Sequence, residues 1–575
     1  MTESGHNARV AIFCDCLPST GIGHAVRCLA LGRELEARGA LVRHVLAEGS
    51  ATEPHRIAGV VPDLLAAAPD SPDLAGILDD FLRRTEADLL VADSYLARPA
   101  FYADLAAARP TLPVLAFDDQ GEKAGLPLLG VLATGLAAAP DPFPGRFAPF
   151  SAVGPEFFPL SETCRRTFER APRHDGRLER LLLVMGGSDP EGQTVRLARL
   201  LRTLDNLPEV HVVAGPLFGD TAELRRTLAD DPHFRLHESP PDLHALAVSC
   251  DLALTGAGIT LVELLSLGVP IAALILADNQ EPAARALEKR ELGIVLGRFD
   301  RLDDEELLAA ARRAMADPER LERSAAKGRA LIDGRGAVRL ADRVLEILAR
   351  YRGEAFAADE VVEEYRRASA HPEPYRKALW GSAEGMTNRF LLALEALGPG
   401  PLGSWCDVGC GTGDFLLTAE SAREVESCTG LDLSPEMIAF ASGRDFRTRD
   451  RRFLRQSFLE PVPGAPFDLV TCLGVLQKCG LGLKRAVRGL ARLVRPGGRV
   501  LASTKNLGWR AFDAPGFLPY PGHHWFRPAQ IQEAFEEAGL RLEFLRGMDT
   551  RTKTFQTLEG SHNLLALGVR EGGHA

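Results

Sequence analysis

The sequence has no Cys-x-x-Cys pair among its 10 cysteines, no excess of positive charge, and no apolar run approaching the ~20 residues that span a membrane. Each absence excludes a class. Without such a pair, the sequence mark of a thiolate zinc cluster or a dithiol redox motif is missing. Cys14 with Cys16, and Cys406 with Cys410, fall in or beside strand ends, where small buried thiols are the ordinary explanation and a reducing cytosol fits. A formal net charge of -11 and a pI near 5.8 argue against a general nucleic-acid binder, which needs clustered positive charge. Met1 to Arg9 is short and polar, lacks an apolar signal core and leads directly into a strand, so a soluble, cytoplasmic protein acting on small molecules is expected. No internal repeat or low-complexity tract stands out. At 575 residues the chain is too long for one core, and about 100 to 200 residues per domain suggests three or four.

The stretch Asp407-Val408-Gly409-Cys410-Gly411-Thr412-Gly413-Asp414 follows the apolar pair Trp405 and Cys406 and precedes Phe415-Leu416-Leu417. It reads as strand, glycine turn and helix. The glycines let the backbone approach a ligand, and the helix start offers unpaired N–H groups. Nicotinamide-binding domains use a similar string, so the context decides. A second apolar run ends at Asp432, where a carboxylate can take both hydroxyls of a ribose. Phe467 to Cys472 is a further strand, and Leu493 to Leu501 is a helix end, turn and strand. In that order these resemble the class I S-adenosylmethionine-dependent methyltransferases, over roughly residues 380 to 570. The resemblance implies S-adenosyl-L-methionine as cofactor, with Asp407, Gly409, Gly411 and Gly413 at its methionine end and Asp432 at its ribose. Ser457, with Phe458 beside it, stands where many relatives carry an adenine-binding aspartate. Gln477 lies near a position where relatives often have an acid or a histidine. A base from the Pro/Gly-rich loop, His523 or His524, is therefore expected. Adjacent histidines alone do not make a metal site, because their side chains diverge.

At the other end of the chain, Arg9 to Asp15 is a strand, Ser19 to His24 a glycine turn, and Val26, Leu29, Ala30 and Leu35 recur at helical spacing up to a stop at Gly39. His24 falls at the helix start, where the dipole favours a neutral ring able to accept a proton, as a general base must. Capping or packing would be its ordinary use. Two further strands end in Asp93-Ser94-Tyr95 and in Asp118-Asp119, on the same sheet edge as His24. After a stretch rich in Pro, Phe and Gly, Leu181 to Met185 is a buried strand before the turn Gly186-Gly187-Ser188, whose amides suit a pyrophosphate. Asp251 to Thr255 is a strand before Gly256-Ala257-Gly258-Ile259-Thr260 and a helix carrying Glu263.

With Gly21-x-Gly23-His24-x-x-Arg27-Cys28, these features resemble the UDP-sugar hydrolases of the pseudaminic acid pathway and their spore-coat polysaccharide relatives, which share the wider GT-B glycosyltransferase architecture, over roughly residues 8 to 350. The resemblance implies a UDP-sugar in a cleft between two Rossmann-like halves. Gly21, Gly23, Arg27, Asp93 and Tyr95 would face it from the first half. Gly187, Ser188, Gly258, Thr260, the ribose-holding Glu263, Asn279 and Gln280 would face it from the second, although Asn279 or Gln280 could instead cap a helix. No Asp-x-Asp motif of metal-using glycosyltransferases is present, and the scheme requires no metal.

The expected fold is thus α/β: a GT-B-like half over 8–150, a second over 151–351, a linker over 352–378 with a short helix around Val361, and a class I methyltransferase domain over 379–571. The expected function is bifunctional, a UDP-sugar hydrolase or glycosyltransferase joined to a methyltransferase. A nucleotide-sugar-binding module without catalysis is the alternative for the first part.

Overall fold

The computed structural model describes residues 7–17, 20–123, 125–139, 149–170, 177–187, 189, 191–514, 517 and 522–572. The chain divides into two compact units, the first running to Leu345 and the second from Glu346 onward. Among the described residues no helix is long and apolar enough to cross a membrane.

The first unit holds two parallel sheets, the GT-B-like pair of Rossmann-like halves expected from the sequence. One has seven strands and begins at Arg9–Cys14; counted along the chain its strands lie in the order 3-2-1-4-5-6-7. The other has six strands, begins at Arg180–Val184 and follows the order 3-2-1-4-5-6. The fourth strands, Leu89–Asp93 and Leu252–Gly256, are buried at every residue, as central strands covered on both faces must be. Helices such as Gly23–Glu36 and Ile259–Leu267 cross over between strands, and separate apolar clusters fill the two faces of the second sheet.

The second unit is built on an eight-stranded sheet beginning at Leu402–Val408, in the order 3-2-1-4-5-8-6-7. The first five strands pair in parallel, while Asn563–Arg570 inserts antiparallel between Val494–Lys505 and Leu540–Asp549. Trp405 and Phe415 anchor one face of this sheet, and Val470, Leu490, Phe526 and Phe535 the other. Residues 352–378, read from the sequence as a linker with a short helix around Val361, carry the helix Ala358–Ala368 and a second one, Pro374–Lys377.

In all three sheets strand order reverses between the first and fourth strands. Ligands in open α/β sheets bind at such a crevice, beyond the carboxyl ends of the strands. The motifs singled out above follow these strand ends.

Candidate active sites

In the first sheet, the turn after Arg9–Cys14 delivers His24 to the second position of the helix Gly23–Glu36, and the neighbouring strand ends on Asp93. His24 Nδ1 lies 2.7 Å from Asp93 Oδ1. A carboxylate only accepts, so Nδ1 carries the proton and Nε2 is left to accept one. Tyr95, 42% exposed, meets the imidazole edge-on at 4.5 Å. Arg27 braces the pair: Nε donates to Asp93 Oδ2 at 2.5 Å, Nη2 to Asp93 Oδ1 at 2.6 Å and Nη1 to Asp119 Oδ2 at 2.6 Å, with the guanidinium over the Phe117 ring. Burial alone would raise the Asp93 carboxyl, but the charges of Arg27 and His24 and their hydrogen bonds hold it well below the usual range. Arg27 and Asp93, expected to face substrate, are buried and spend their polar atoms on each other, on His24 and on Asp119, because a buried charge must be paired. They position the imidazole instead. Asp15, which the sequence reading passed over, accepts from the Tyr95 and Leu96 amides and fixes the loop that carries Tyr95.

The glycine turns of the two sheets meet closely. A Cβ on Gly23 would lie 2.6 Å from Ile259 Cδ1, and one on Gly187 2.8 Å from Ile22 Cγ1, so a side chain at either position would make the facing isoleucine move. Gly21 has a positive φ of 75° and open space around it. Gly258 and Thr260 flank the start of Ile259–Leu267. Ser188 lies outside the described residues. Asn279 is exposed on the short turn Asp278–Gln280. Gln280 is partly structural: its Oε1 accepts from the Ala257 and Leu276 amides, 3.1 Å each, tying two strand ends together.

Glu263 departs from expectation. Only 8% exposed, it accepts from Ser161 Oγ at 2.7 Å and lies 3.3 Å from His244 Nε2, so a ribose would have to share its oxygens. Burial pushes its carboxyl up, but His244 and Ser161 hold it below its ordinary value, and Glu263 in turn raises His244. Cys164, His244 and Glu263 offer ligand atoms within 4.8 Å of one another, a donor set that could hold a transition metal. Without one, Glu263 is held by Ser161 Oγ and by the His244 imidazole 3.3 Å away, while the ring nitrogens of His244 make no hydrogen bond among the described residues.

The second unit contains a cavity of about 1040 Å³. Asp407, Gly409, Gly411, Asp432, Ser457, Phe458 and His523 line it, as do Val361 and Tyr365 from the 352–378 segment. Gly413 is not on its wall: it starts the helix Asp414–Ala422 at φ 76°, where a Cβ would sit 2.9 Å from Phe446. Asp432 accepts from Gly411 N at 3.0 Å and Ser434 N at 2.9 Å. Thr471 Oγ1 donates to Asp407 Oδ1 at 2.6 Å while accepting from Trp405 Nε1. Burial nevertheless pushes the Asp407 carboxyl up to about 7.

His524 is turned away from the cavity. It is buried, stacks on Phe356 at 4.1 Å and accepts from the Ala355 amide through Nε2, so it does not supply the expected base. Burial and the nearby Lys505, Lys478 and Arg389 lower His523 to about 3, which makes it a weak base. The sequence reading missed Arg389. It lies on the buried stripe Met386, Arg389, Phe390 and Ala393 of the helix Ala383–Ala396, and a charge inside such a stripe was the available signal. Its guanidinium stacks over Trp380 at 4.2 Å, its Nε has no hydrogen-bond partner, and burial lowers it to about 9.

Residues 379–544 match the family model for a methyltransferase domain. A ubiquinone biosynthesis O-methyltransferase of Xylella fastidiosa (strain M23) is 31% identical over 187 residues, 29% of this chain and 75% of that protein. The spore coat polysaccharide biosynthesis protein SpsG of Bacillus subtilis (strain 168) is 28% identical over 181 residues, 30% of this chain; the chain spans about half that relative's length, 52%. Among solved structures, MurG of Acinetobacter baumannii superposes with a TM-score of 0.44 at 15% identity, over 59% of this chain and 99% of MurG.

Proposed function

Because the chain belongs, through residues 379–544, to the methyltransferase-domain family, we propose that it is a bifunctional enzyme of sugar metabolism. Its second unit transfers a methyl group from S-adenosyl-L-methionine to an oxygen or nitrogen of a sugar-related small molecule. Its first unit cleaves or transfers the sugar of a UDP-sugar.

The observation that carries the methyltransferase reading is the pair of uncompensated charges in one cavity. Asp407 and Arg389 are both buried, and neither has an ion-pair partner among the described residues. The ammonium and carboxylate of an amino acid would satisfy both, which fits the methionine end of the cofactor. Asp432 has acceptor capacity left beyond its two amides for a pair of ribose hydroxyls. The cofactor supplies, when bound, a methyl already activated on a sulfonium. What remains for the chain is to align the acceptor and, for a protonated acceptor, to receive a proton.

For the first unit the carrying observation is the His24–Asp93 pair at the facing glycine turns. His24 Nε2 takes a proton from the attacking water as the bond from sugar to UDP breaks, and amides of the second sheet's turns stabilise the departing diphosphate. The relation to a spore coat polysaccharide biosynthesis protein supports a sugar substrate. An acceptor hydroxyl or amine in place of water makes the same site a glycosyltransferase.

The test is UDP release from a panel of UDP-amino and deoxy sugars, with His24→Ala as control. Release without acceptor that depends on His24 supports the hydrolase. Release only with an added acceptor supports the transferase, and unaltered release by the variant removes His24 from the chemistry. Nucleotide binding without release under any condition leaves a binding module.

A further inference from the structure

If the amino-acid end of the cofactor compensates Asp407 and Arg389, a second cationic group in the same cavity is still without an anion. Lys505 ends the strand Val494–Lys505, beside the crevice of the third sheet. Its Nζ donates to Asn563 Oδ1 at 3.0 Å and lies 5.8 Å from the Trp525 ring centroid. Arg389 Nη2 approaches the same Asn563 oxygen at 3.5 Å, and Asn563 Nδ2 lies 3.1 Å from His562 Nε2. His523 and His562 share the cavity wall with Lys505. Two cations therefore converge on one neutral carbonyl oxygen.

The carboxylates that line this cavity are engaged elsewhere. Glu364 pairs with Lys478 at 2.8 Å and Asp414 with Arg444 at 2.8 Å, while Asp407 and Asp432 belong to the glycine turn. Among the described residues none pairs with Lys505. A half-buried ammonium served only by an amide oxygen and an aromatic face is costly, and a bound anion removes the cost. Burial, and then the charge of Arg389, lower Lys505 to about 7; burial, Lys505 and Arg389 lower His562 to about 4. A cavity of about 1040 Å³ is at the top of the range of about 300–1,000 Å³ for single-ligand pockets, so it has room for a second reactant.

We propose that Lys505, flanked by His523 and His562, receives an oxyanion carried by the methyl acceptor, a carboxylate or a phosphate. This rests on the methyltransferase reading of the second unit. The acceptor is then a sugar acid, a sugar phosphate or a nucleotide sugar rather than a neutral sugar. Lys505 supplies the charge, and the neutral imidazoles donate hydrogen bonds to the remaining oxygens.

The experiment uses the full chain saturated with S-adenosylhomocysteine, so that the cofactor's own carboxylate is already in place. Amine labelling by acetic anhydride is read at Lys505 by mass spectrometry of peptides across a pH series, with inorganic phosphate or acetate as probe. Docking of the anion raises the half-labelling pH by about one unit or more, at least about a fivefold fall in labelling at pH 7 for a group that starts near 7. Protection by phosphate alone selects a phosphate-bearing acceptor, and protection by both probes allows a carboxylate. Lys505→Met, which keeps the length of the side chain, should bind S-adenosylhomocysteine as wild type does and should raise the KM of an anionic acceptor about tenfold or more, with Lys505→Arg restoring part of it. Unchanged labelling with both probes overturns the proposal. So does full protection by S-adenosylhomocysteine alone, which would give Lys505 to the cofactor. A wild-type protein that does not bind S-adenosylhomocysteine overturns the methyltransferase reading and this proposal with it, whereas binding without probe protection overturns this proposal only.

Discussion

Asp93 has two neighbours that need it in the same protonation state. His24 needs a carboxylate at Nδ1 so that Nε2 stays an acceptor, and Arg27 needs the charge. Asp93→Asn keeps the shape but supplies an amide that can donate to Nδ1, which favours the wrong tautomer. Turnover of the UDP-sugar is expected to fall about 10²- to 10⁴-fold, the usual size of a general-base contribution, while UDP affinity stays unchanged. Single-turnover UDP release and UDP titration check the two halves of that statement, and a loss of both would point to a folding defect instead. Asp407 supports a pH argument. Its carboxyl sits at about 7 in the free protein, and the cofactor's ammonium requires the ionised form. Below pH 7 a proton must leave before binding, so S-adenosylhomocysteine affinity should fall towards tenfold per pH unit as pH drops from 7 to 5.5. Calorimetric titration of Asp407→Asn should give a weaker and much flatter profile; an equally steep slope in the variant would remove Asp407 from the ammonium site.

At the scale of elements, the strand-turn-helix units were legible because each combines a short apolar run with glycines and a helical period. The run from Val26 to Leu35 lies inside Gly23–Glu36, and Asp407 and Asp432 both reach the cavity from strand ends. What the sequence hid was set by tertiary contacts. The two adjacent histidines looked equivalent, yet His523 lines the cavity and His524 packs on Phe356, as alternate side chains of an extended segment diverge. Glu263 looked like a free ribose ligand because Ser161 and His244 are far from it in sequence. A short helix was expected around Val361, but the charges of Ala358–Ala368 hid its use: its sequence, ADEVVEEYRRA, reads as solvated, whereas Val361, Val362 and Tyr365 form an inner face on the cavity. Glu364 ties this helix to Lys478, which follows the fourth strand of the sheet. Glu364 is about one third exposed, so breaking the pair should cost about 1–2 kcal/mol, well below a fully buried one. Glu364→Gln is expected to weaken S-adenosylhomocysteine binding about 5- to 30-fold and to speed amide exchange across 358–368. Unchanged exchange would mean that the pair does not hold the helix.

At the scale of the molecule, three sheets repeat one arrangement: a first strand followed by a glycine turn, with the fourth strand alongside. In the first and third sheets the fourth strand supplies a polar partner, Asp93 for His24 and Thr471 for Asp407, and in the second it ends in the Gly256–Gly258 turn. The apolar clusters Leu182, Leu264 and Ile271, and Leu183, Val212 and Leu254, belong to the first unit; Val470, Leu490 and Phe535, and Trp405, Phe415 and Leu501, belong to the second. Each unit thus has core enough to melt cooperatively by itself. Scanning calorimetry of the full chain should resolve two transitions. S-adenosylhomocysteine at about 100 times its Kd adds about 2.7 kcal/mol to the unit that binds it, which for a unit of this size is a rise of roughly 5–10 °C in one Tm. UDP should raise the other Tm and leave the first in place. A single transition moved by both ligands would refute this assignment of one ligand to each unit. It would place the energetics of the two sites in one cooperative structure, and the two proposed activities would then be coupled through stability rather than merely joined by the chain.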